Sequence, residues 1–590
     1  MKKIAIPLLL LLLFNHCRSQ RESIDYGFWA YDWTMSIFNH FGNLETDSTT
    51  IPYAVFLETR RNMKGSISCL LPLFQARSTQ PEITINIHYK TENVDELYLK
   101  LVAFGECERV LSINTLHLPP SAEWTISIQS VPMKNAMFLE LFIEMTRDTL
   151  VLDGTNKNAR IGIKELDVFV DGRRIDQFAT ARRGTRLLLR EQDIIPFDSN
   201  NLSHLPFMNK KILAIGETVH GTETFNKLAV DIIKERILYH NCRLILLELP
   251  LEISFYINRY IASASNFKIE TISSYFDNTL FCSSIFVSLI EWVREFNLSS
   301  KEKIYFFGVD TWGFTHIDRY VNLFNFFYAI NQTVNSKKIE KICNLLLRFG
   351  GAIDELILLF DTNQYFENIL TKEEFSLLRH TLQQLYMIRH YPAKCREKNM
   401  YKNARLLIEN LLKEGQTVTI FAHFGHTNYQ ASQGRMTYMK CKQSFGHHMR
   451  SRYGKDYSCI ALIAEEGSFL TSNPNHTGFK IEKLHSSPIG SLEYLIGRLS
   501  FDIGYVPIER FTCSDALQVR FIGNAPLERQ FRFMFPKVRM DGVIFVRHVS
   551  AIQKNEKLMN REVCLHLLMW ERWRQAVIRM DWDAPPPPFI

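Results

Sequence analysis

Several familiar signatures are missing from this 590-residue chain. None of its eleven cysteines stands three residues from another, which sets aside a zinc ribbon and a thioredoxin-like pair. No Gly-x-Ser-x-Gly elbow, Walker loop or Gly-x-Gly-x-x-Gly turn stands at a strand end. That argues against a serine hydrolase, an NTPase and a dinucleotide enzyme. There is no run of five like charges and no dense Lys/Arg block, and the net charge of +7 is thin over this length. Nucleic acid is therefore not expected as a partner. Past the first residues, no apolar stretch is long enough to span a bilayer, and no internal repeat occurs.

What is present suits a globular protein of two or three domains, with 46% hydrophobic and 22% charged residues. Lys2 and Lys3 precede an apolar run over 4–14, and Cys17-Arg18-Ser19 offers small residues before Gln20. This pattern predicts a signal peptide over 1–19 and an exported protein, periplasmic or extracellular, with no integral membrane segment once the leader is removed. Lipoprotein anchoring through Cys17 is the alternative, although Phe14-Asn15-His16 fits such processing poorly. A buried N-terminal helix would also explain the apolar run, but not the Lys-Lys start and the abrupt polar break. Export permits disulfides, yet several cysteines lie in apolar runs and read as buried thiols.

Two regions differ in periodicity. Over 26–176, short strand-like segments are expected at 53–57, 82–89, 97–104, 124–130, 137–144 and 161–170. Alternation with period two is clearest in Thr84-Ile85-Asn86-Ile87-His88-Tyr89, and turn residues such as Asp153-Gly154 separate the segments. This predicts an all-β sandwich, jelly-roll-like by its closing strand. Residues 177–205 read as a linker. Over 206–582, apolar strands alternate with amphipathic helices, which predicts an α/β domain with a mainly parallel sheet. Strands are expected at 211–215, 244–249, 303–308, 417–422, 459–464 and 542–546. Helices are expected at 222–240, 284–296, 339–360, 372–388, 397–413 and 561–580, and a Pro-rich tail over 583–590. The aromatic-rich stretch 320–328 reads as a packed helix face.

A parallel sheet presents ligands at the carboxyl ends of its strands. There the chain carries Glu217 and His220, then Glu248, Asp310, His423 with His426, Glu465 with Glu466, and Arg547 with His548. Glu217 and His220 lie three apart between Gly216 and Gly221, where a carboxylate can hold one ring nitrogen and raise the basicity of the other. The helix N-terminus that follows could assist an anion. Alternatively, Glu217 caps that helix and His220 packs beneath it. Glu248 ends an apolar run, so it needs a partner, either a catalytic one or a structural Arg. His423 and His426 could donate a proton, hold substrate or bind metal, or simply be hydrogen-bonded loop residues. The adjacent His447 and His448 read as surface histidines.

These same residues resemble the erythromycin esterase family. Gly216-Glu217-Thr218-Val219-His220-Gly221 is similar to its Gly-Glu-x-x-His-Gly opening, Leu246-Leu247-Glu248 to its second-strand glutamate, and Ala422-His423-Phe424-Gly425-His426 to its Ala-His-Asn-x-His motif. Arg396-Glu397-Lys398-Asn399-Met400 resembles its Arg-Asp-x-x-Met helix, and the stretches at 446–454 and 466–469 fit its later segments. The resemblance covers about 205–550 and leaves out the β-rich region. Phe424 and Glu397 depart from the family's asparagine and aspartate.

The resemblance implies hydrolysis of a small-molecule ester or lactone without a covalent serine. His220 would activate water, with Glu217, Glu248, His423 and His426 completing the site. Arg396, Asp310 and Glu466 are expected to support it or to bind substrate. No cofactor is expected, with a divalent metal held by His and Glu as an alternative. The β-region is expected to bind a glycan or to pack as an accessory. A catalytically silent ligand-binding protein is the rival class. Macrolide resistance does not follow from the resemblance.

Overall fold

The computed structural model describes residues 33–34, 41–47, 54–59, 65–72, 79–106, 109–146, 159–174, 187–197, 202–276, 279, 283–311, 316–348, 351–362, 366, 369–390, 396–429, 443–472, 479–513, 515, 517–523 and 530–554. The expected signal peptide with Cys17, parts of the linker, the helix over 561–580 and the Pro-rich tail lie outside these residues. The chain divides into two compact units, the first built on the sequence up to Leu187 and the second on the sequence from Leu188.

The first unit is all β. One sheet orders its strands Trp33–Thr34, Gly65–Pro72, Phe138–Thr146, Glu96–Phe104 and Val110–Leu118. The other orders Phe41–Asp47, Ala54–Thr59, Arg160–Val170, Glu82–Glu92 and Thr125–Pro132. Every pairing is antiparallel. Alternation decides which side chains enter the core. Ile83, Ile85, Ile87 and Tyr89 are fully buried with Leu97, Leu99, Leu101, Leu141, Ile143, Leu166 and Val168. Thr84, Asn86, His88 and Lys90 take the opposite face and are half-buried. The strands at 41–47, 65–72 and 110–118 were not anticipated. The last alternates exposed and half-buried residues and ends in a single buried one, so its apolar signal is diluted.

The second unit is built on a mixed sheet. Its strands are β1 (Ile195–Pro196), β2 (Ile212–Glu217), β3 (Cys242–Pro250), β4 (Tyr305–Asp310), β5 (Thr417–His423), β6 (Tyr457–Ser472), β7 (Ile503–Pro507) and β8 (Gly542–Val549). Their spatial order is β1-β7-β8-β6-β2-β5-β3-β4, and Phe479–Lys483 forms a hairpin partner to β6. The six strands from β8 to β4 are parallel; β7 pairs antiparallel with β8, and β1 pairs antiparallel with β7 at the edge. β2, β3 and β5 are apolar almost throughout and buried on both faces, as an interior parallel strand must be. β7 was missed because Ile503-Gly504-Tyr505-Val506-Pro507 is short and ends in proline, an edge-strand composition. Part of the expected linker belongs here, since β1 lies within it.

Helices flank the sheet. Helix α1 (Glu223–Tyr239) buries Phe225, Leu228, Ile232 and Ile233. One helix was expected over 339–360, but Lys337–Leu346 and Ile353–Thr362 are separate. Gly350-Gly351 falls between them, and paired glycines cost a helix about 2 kcal/mol relative to alanine. The aromatic stretch lies in the helix His316–Val334, with Tyr320, Phe324, Phe326 and Phe327 buried. Cys242, Cys343 and Cys459 are buried free thiols, as their apolar surroundings predicted, whereas Cys513 is disulfide-bonded. Among the described residues no helix is long and apolar enough to cross a membrane.

The sheet order explains where a site can form. The chain runs from β2 to β3 and β4 on one side and inserts β5 between β2 and β3. It then crosses to β6 and β8 on the other side of β2. Connections diverge at β2, and such a divergence leaves a crevice at the strand carboxyl ends.

Candidate active site

Four adjacent strands, β2, β5, β3 and β4, end in Glu217, His423, Glu248-Leu249-Pro250 and Asp310. Register sets Glu217 beside His423, and Pro250 beside Asp310. Two glycines allow the first turn. A Cβ on Gly216 would lie 2.3 Å from Thr427 Oγ1, and Gly221 has φ +79° with the Leu470 carbonyl 2.0 Å from any added Cβ. Only glycine tolerates that approach and that φ.

The turn brings His220 back over Glu217. Its Nδ1 lies 2.6 Å from Glu217 Oε1, and both side chains are buried. The second oxygen, Glu217 Oε2, is buried without a hydrogen-bond partner. Burial pushes the Glu217 carboxyl up to about 7, although His220 pulls it down. Glu217 caps no helix. The first helical amide, that of Glu223, donates to the Ser550 carbonyl, and Glu223 is itself acidic. The α1 N-terminus is thus a weaker anion site than its position suggested.

A second group shares a chain of alternating charges. Arg396 opens helix α2 (Arg396–Leu411) and grips both oxygens of Asp310 at 2.9 and 2.6 Å. Its Nη2 also donates to Glu248 Oε1 at 2.9 Å. His426, on the short turn α3 (Phe424–Thr427), places Nε2 3.2 Å from the same Glu248 oxygen and Nδ1 2.7 Å from Glu397 Oε1. The remaining oxygens are used as well. Glu248 Oε2 accepts the His423 amide at 2.7 Å, and Glu397 Oε2 accepts the Phe445 amide, in helix α4 (Phe445–Tyr453), at 2.8 Å.

Carboxylates on both nitrogens require both nitrogens to donate, so His426 is an imidazolium. Burial opposes that charge, yet Glu397 and Glu248 lift its pKa to about 10. Burial would raise Glu248, but His426, His220 and Arg396 outweigh it and hold the carboxyl well below its usual range. Glu397 is lowered for the same reason, with His426 and Arg396 overcoming burial.

His423 differs. Its Nδ1 accepts the Gly425 amide at 3.1 Å and its Nε2 faces the Ile522 carbonyl at 3.1 Å. Burial and the neighbouring His220 hold its pKa well below the usual imidazole value, so the ring is neutral. It packs against His220 with ring centroids 4.4 Å apart and against Phe521 edge-on at 4.7 Å. Glu248 makes no bond to His220 and reaches it only through space.

Seven of the eight expected residues therefore meet: Glu217, His220, Glu248, Asp310, Arg396, His423 and His426. Glu466 does not join them. It is 66% exposed on β6 and faces His548 at 3.7 Å. Glu465 and Arg547, expected at the other two strand ends, lie inside β6 and β8 and form a structural knot in which Arg547 also binds the carbonyls of Gly497, Leu499 and Phe501. His447 and His448, read as surface residues, are half-buried on α4. Two participants were missed. Glu397 was noted for its motif alone and turns out to fix His426. Phe521-Ile522 carries no motif and no local signal. Among the described residues no group of three or more His, Cys, Asp or Glu side chains is disposed to hold a metal ion.

Comparison with known proteins gives a partial match. Residues 378–549, under a third of the chain, match the family model described as Erythromycin esterase, so this segment is erythromycin esterase-like. A solved Bacillus cereus protein is similar at 16% identity, covering 64% of this chain and 99% of its own, with a TM-score of 0.46. A succinoglycan biosynthesis protein follows at 13% identity, 63% and 97% coverage and a TM-score of 0.46. A mutant of the erythromycin esterase EreC in its open conformation follows at 13% identity, 60% and 96% coverage and a TM-score of 0.41. No curated protein sequence matches the chain.

Proposed function

From the erythromycin esterase-like segment and the buried Glu217–His220 pair, we propose that the chain is an exported hydrolase that opens an ester or lactone with a histidine-activated water. The 2.6 Å bond from Nδ1 to Glu217 carries the proposal. It holds the Nδ1 proton on the carboxylate side and leaves the basic lone pair on Nε2. Water gives its proton to Nε2 as its oxygen attacks the carbonyl carbon. The tetrahedral intermediate then expels the alkoxide, which takes that proton back from Nε2. His426 and Arg396 supply fixed positive charge beside the developing oxyanion. His423 serves as a neutral wall against His220 and donates no proton to the leaving group.

The Lys2-Lys3 start and the apolar run over 4–14 support export. A panel of esters and lactones tests the chemistry. Replacing His220 by Ala is expected to lower turnover about 10²-fold or more; equal turnover in wild type and variant refutes the base. Metal content, measured after gentle purification with and without chelator, separates this reading from a His/Glu metal-dependent hydrolase.

A second reading concerns the sandwich. Its outward face carries Trp124, with His88 edge-on at 5.4 Å and Lys164 over the ring at 4.3 Å. An outward indole beside His88 and Lys164 supports glycan binding. Trp124→Ala should abolish retention on polysaccharide gels; loss of turnover on soluble esters, with retention unchanged, would count against it.

A further inference from the structure

Two bonds that fix the proposed base and its neighbour end on one atom. The Ile522 carbonyl accepts the backbone N–H of His220 at 3.1 Å and faces His423 Nε2 at 3.1 Å. The Ile522 amide in turn donates to the Thr218 carbonyl at 2.8 Å. A carbonyl can only accept, so His423 must carry its single proton on Nε2. A segment with no catalytic side chain therefore sets the tautomer of one histidine and the backbone position of another.

That segment is not part of the main sheet. Its strand, Leu517–Arg520, pairs with Phe531–Met534 in a separate two-stranded ribbon. The last residue of the strand holds it in place. Arg520 is fully buried. Its backbone amide donates to the buried Glu493 carboxylate at 2.7 Å, and Glu493 and Glu465 favour its charge through space. Its guanidinium donates to the carbonyls of Ala464 (3.0 Å), Glu465 (2.7 Å) and His485 (2.8 Å), to Gln530 Oε1 (2.6 Å) and to Ser487 Oγ (3.3 Å). Ala464 and Glu465 lie on β6, whose Leu462 carbonyl takes the Thr218 amide at 3.0 Å. The guanidinium thus staples the ribbon to the strand that also anchors the catalytic turn. Its planar fork matches five acceptors in fixed directions, which a lysine ammonium with three donors cannot do. An apolar core position needs no such fan of bonds, and burying a cation is costly unless it is paired and hydrogen-bonded.

We propose that Arg520 is a positioning residue of the hydrolytic site: by stapling the 517–522 segment to β6 it fixes the ring proton of His423 and the backbone of His220. The proposal rests on His220 being the base, and its test keeps the two apart. The full-length protein is labelled with ¹⁵N-histidine, and the hydrogen-bonded Nε2–H signal of His423 is assigned by its loss in His423→Gln. Arg520→Gln is expected to lose or broaden that signal and to lower kcat on 4-nitrophenyl acetate about 10²-fold with KM little changed, because a 1 Å misplacement costs about that much. Arg520→Lys should fall between Gln and wild type. A folded Arg520→Gln protein that keeps the wild-type ring-proton signal overturns the proposal. If that variant does not fold, Gln530→Leu, which removes one guanidinium acceptor, decides by the same signal. If wild type turns over no ester, the hydrolase reading fails, and the ring-proton signal still decides the role of Arg520.

Discussion

The two units bury different things. Between its sheets the first unit buries an apolar cluster that includes Val55, Leu57, Ile85, Leu99, Leu141 and Val168. Its buried carboxylates, Glu140 and Glu144, alternate with the inward Leu139, Leu141 and Ile143, so they sit on the far side of that sheet. The second unit buries Glu217, Glu248 and Asp310 at or near the carboxyl ends of β2, β3 and β4. Burying a carboxylate costs several kcal/mol unless its surroundings compensate. Compensation is complete for Glu248 and Asp310 and incomplete for Glu217, whose Oε2 has no partner. Glu223, Glu252 and Glu493 in the second unit also keep one buried oxygen without a hydrogen bond, but of these carboxylates Glu217 is the one that ends a central strand against a histidine, so its cost falls on the proposed base pair.

The largest expected effect tests that cost directly. Glu217→Gln should lower ester turnover by about 10²–10⁴, the range for removing the group that orients a catalytic histidine. In wild type, kcat/KM should rise with pH through about 7 as Glu217 gives up its proton. The stability effect has the opposite sign. Because the folded carboxyl sits near 7 rather than 4.5, the native state holds its proton more tightly than the unfolded chain. Wild-type stability therefore falls relative to the variant between pH 4.5 and 7, by on the order of 3 kcal/mol. Urea titrations at several pH values measure it, and a flat difference would remove the claim that Glu217 is strained. His426 should lose stability in the same direction but over a higher range and from the opposite cause, since its charged form is the favoured one. Its folded pKa of about 10 means that its stabilising contribution is complete below pH 6.5 and is lost as pH climbs toward 10.

Next in size are two disruptions, one in each unit. Arg396→Met leaves Glu248 and Asp310 without their shared cation and should cost about 3–5 kcal/mol in urea unfolding of the second unit. Ile85→Ala, in the apolar sandwich core, should cost about 2–5 kcal/mol through lost burial and a cavity. The contrast lies in pH. The Ile85 cost should be flat from pH 5 to 8, whereas the Arg396 cost should shrink on acidification as Glu248, held low in the wild type, takes a proton in the variant. Parallel pH curves for the two variants would dissolve the distinction between the units.

Much of this arrangement was legible in the sequence because it follows from local pattern. Period two located the central sandwich strands, and continuous apolar runs located β2, β3 and β5. The rule that ligands sit at strand carboxyl ends gathered residues as distant as Glu217 and His426. The rule overreached at β6 and β8. It says which end of a strand faces the crevice but not which strands border it, and the insertion of β5 between β2 and β3 decides that. Charge states were illegible for a related reason. His423 and His426 stand three apart in one motif, yet one is held neutral by backbone partners and the other is held charged by Glu397 and Glu248. The most distant of those partners, Glu248, stands 178 residues before His426. Phe521-Ile522 gave no signal because it acts through a carbonyl, which every residue possesses.

The smallest expected effect probes that overreach. Glu466 follows β6's apolar run as Glu217 ends β2, and the sequence placed both at one sheet edge, Glu217 as a catalytic residue and Glu466 as a supporting one. They differ in environment: Glu217 is fully buried, while Glu466 is 66% exposed with His548 at 3.7 Å. An exposed pair at that distance is screened by water and salt and contributes little. Glu466→Ala should therefore leave ester turnover, its pH profile and the melting temperature at wild-type values. A drop in turnover comparable to that of Glu217→Gln would mean that substrate extends from the β2–β4 edge to the end of β6. The crevice would then be wider than the four strand ends that hold the charge network.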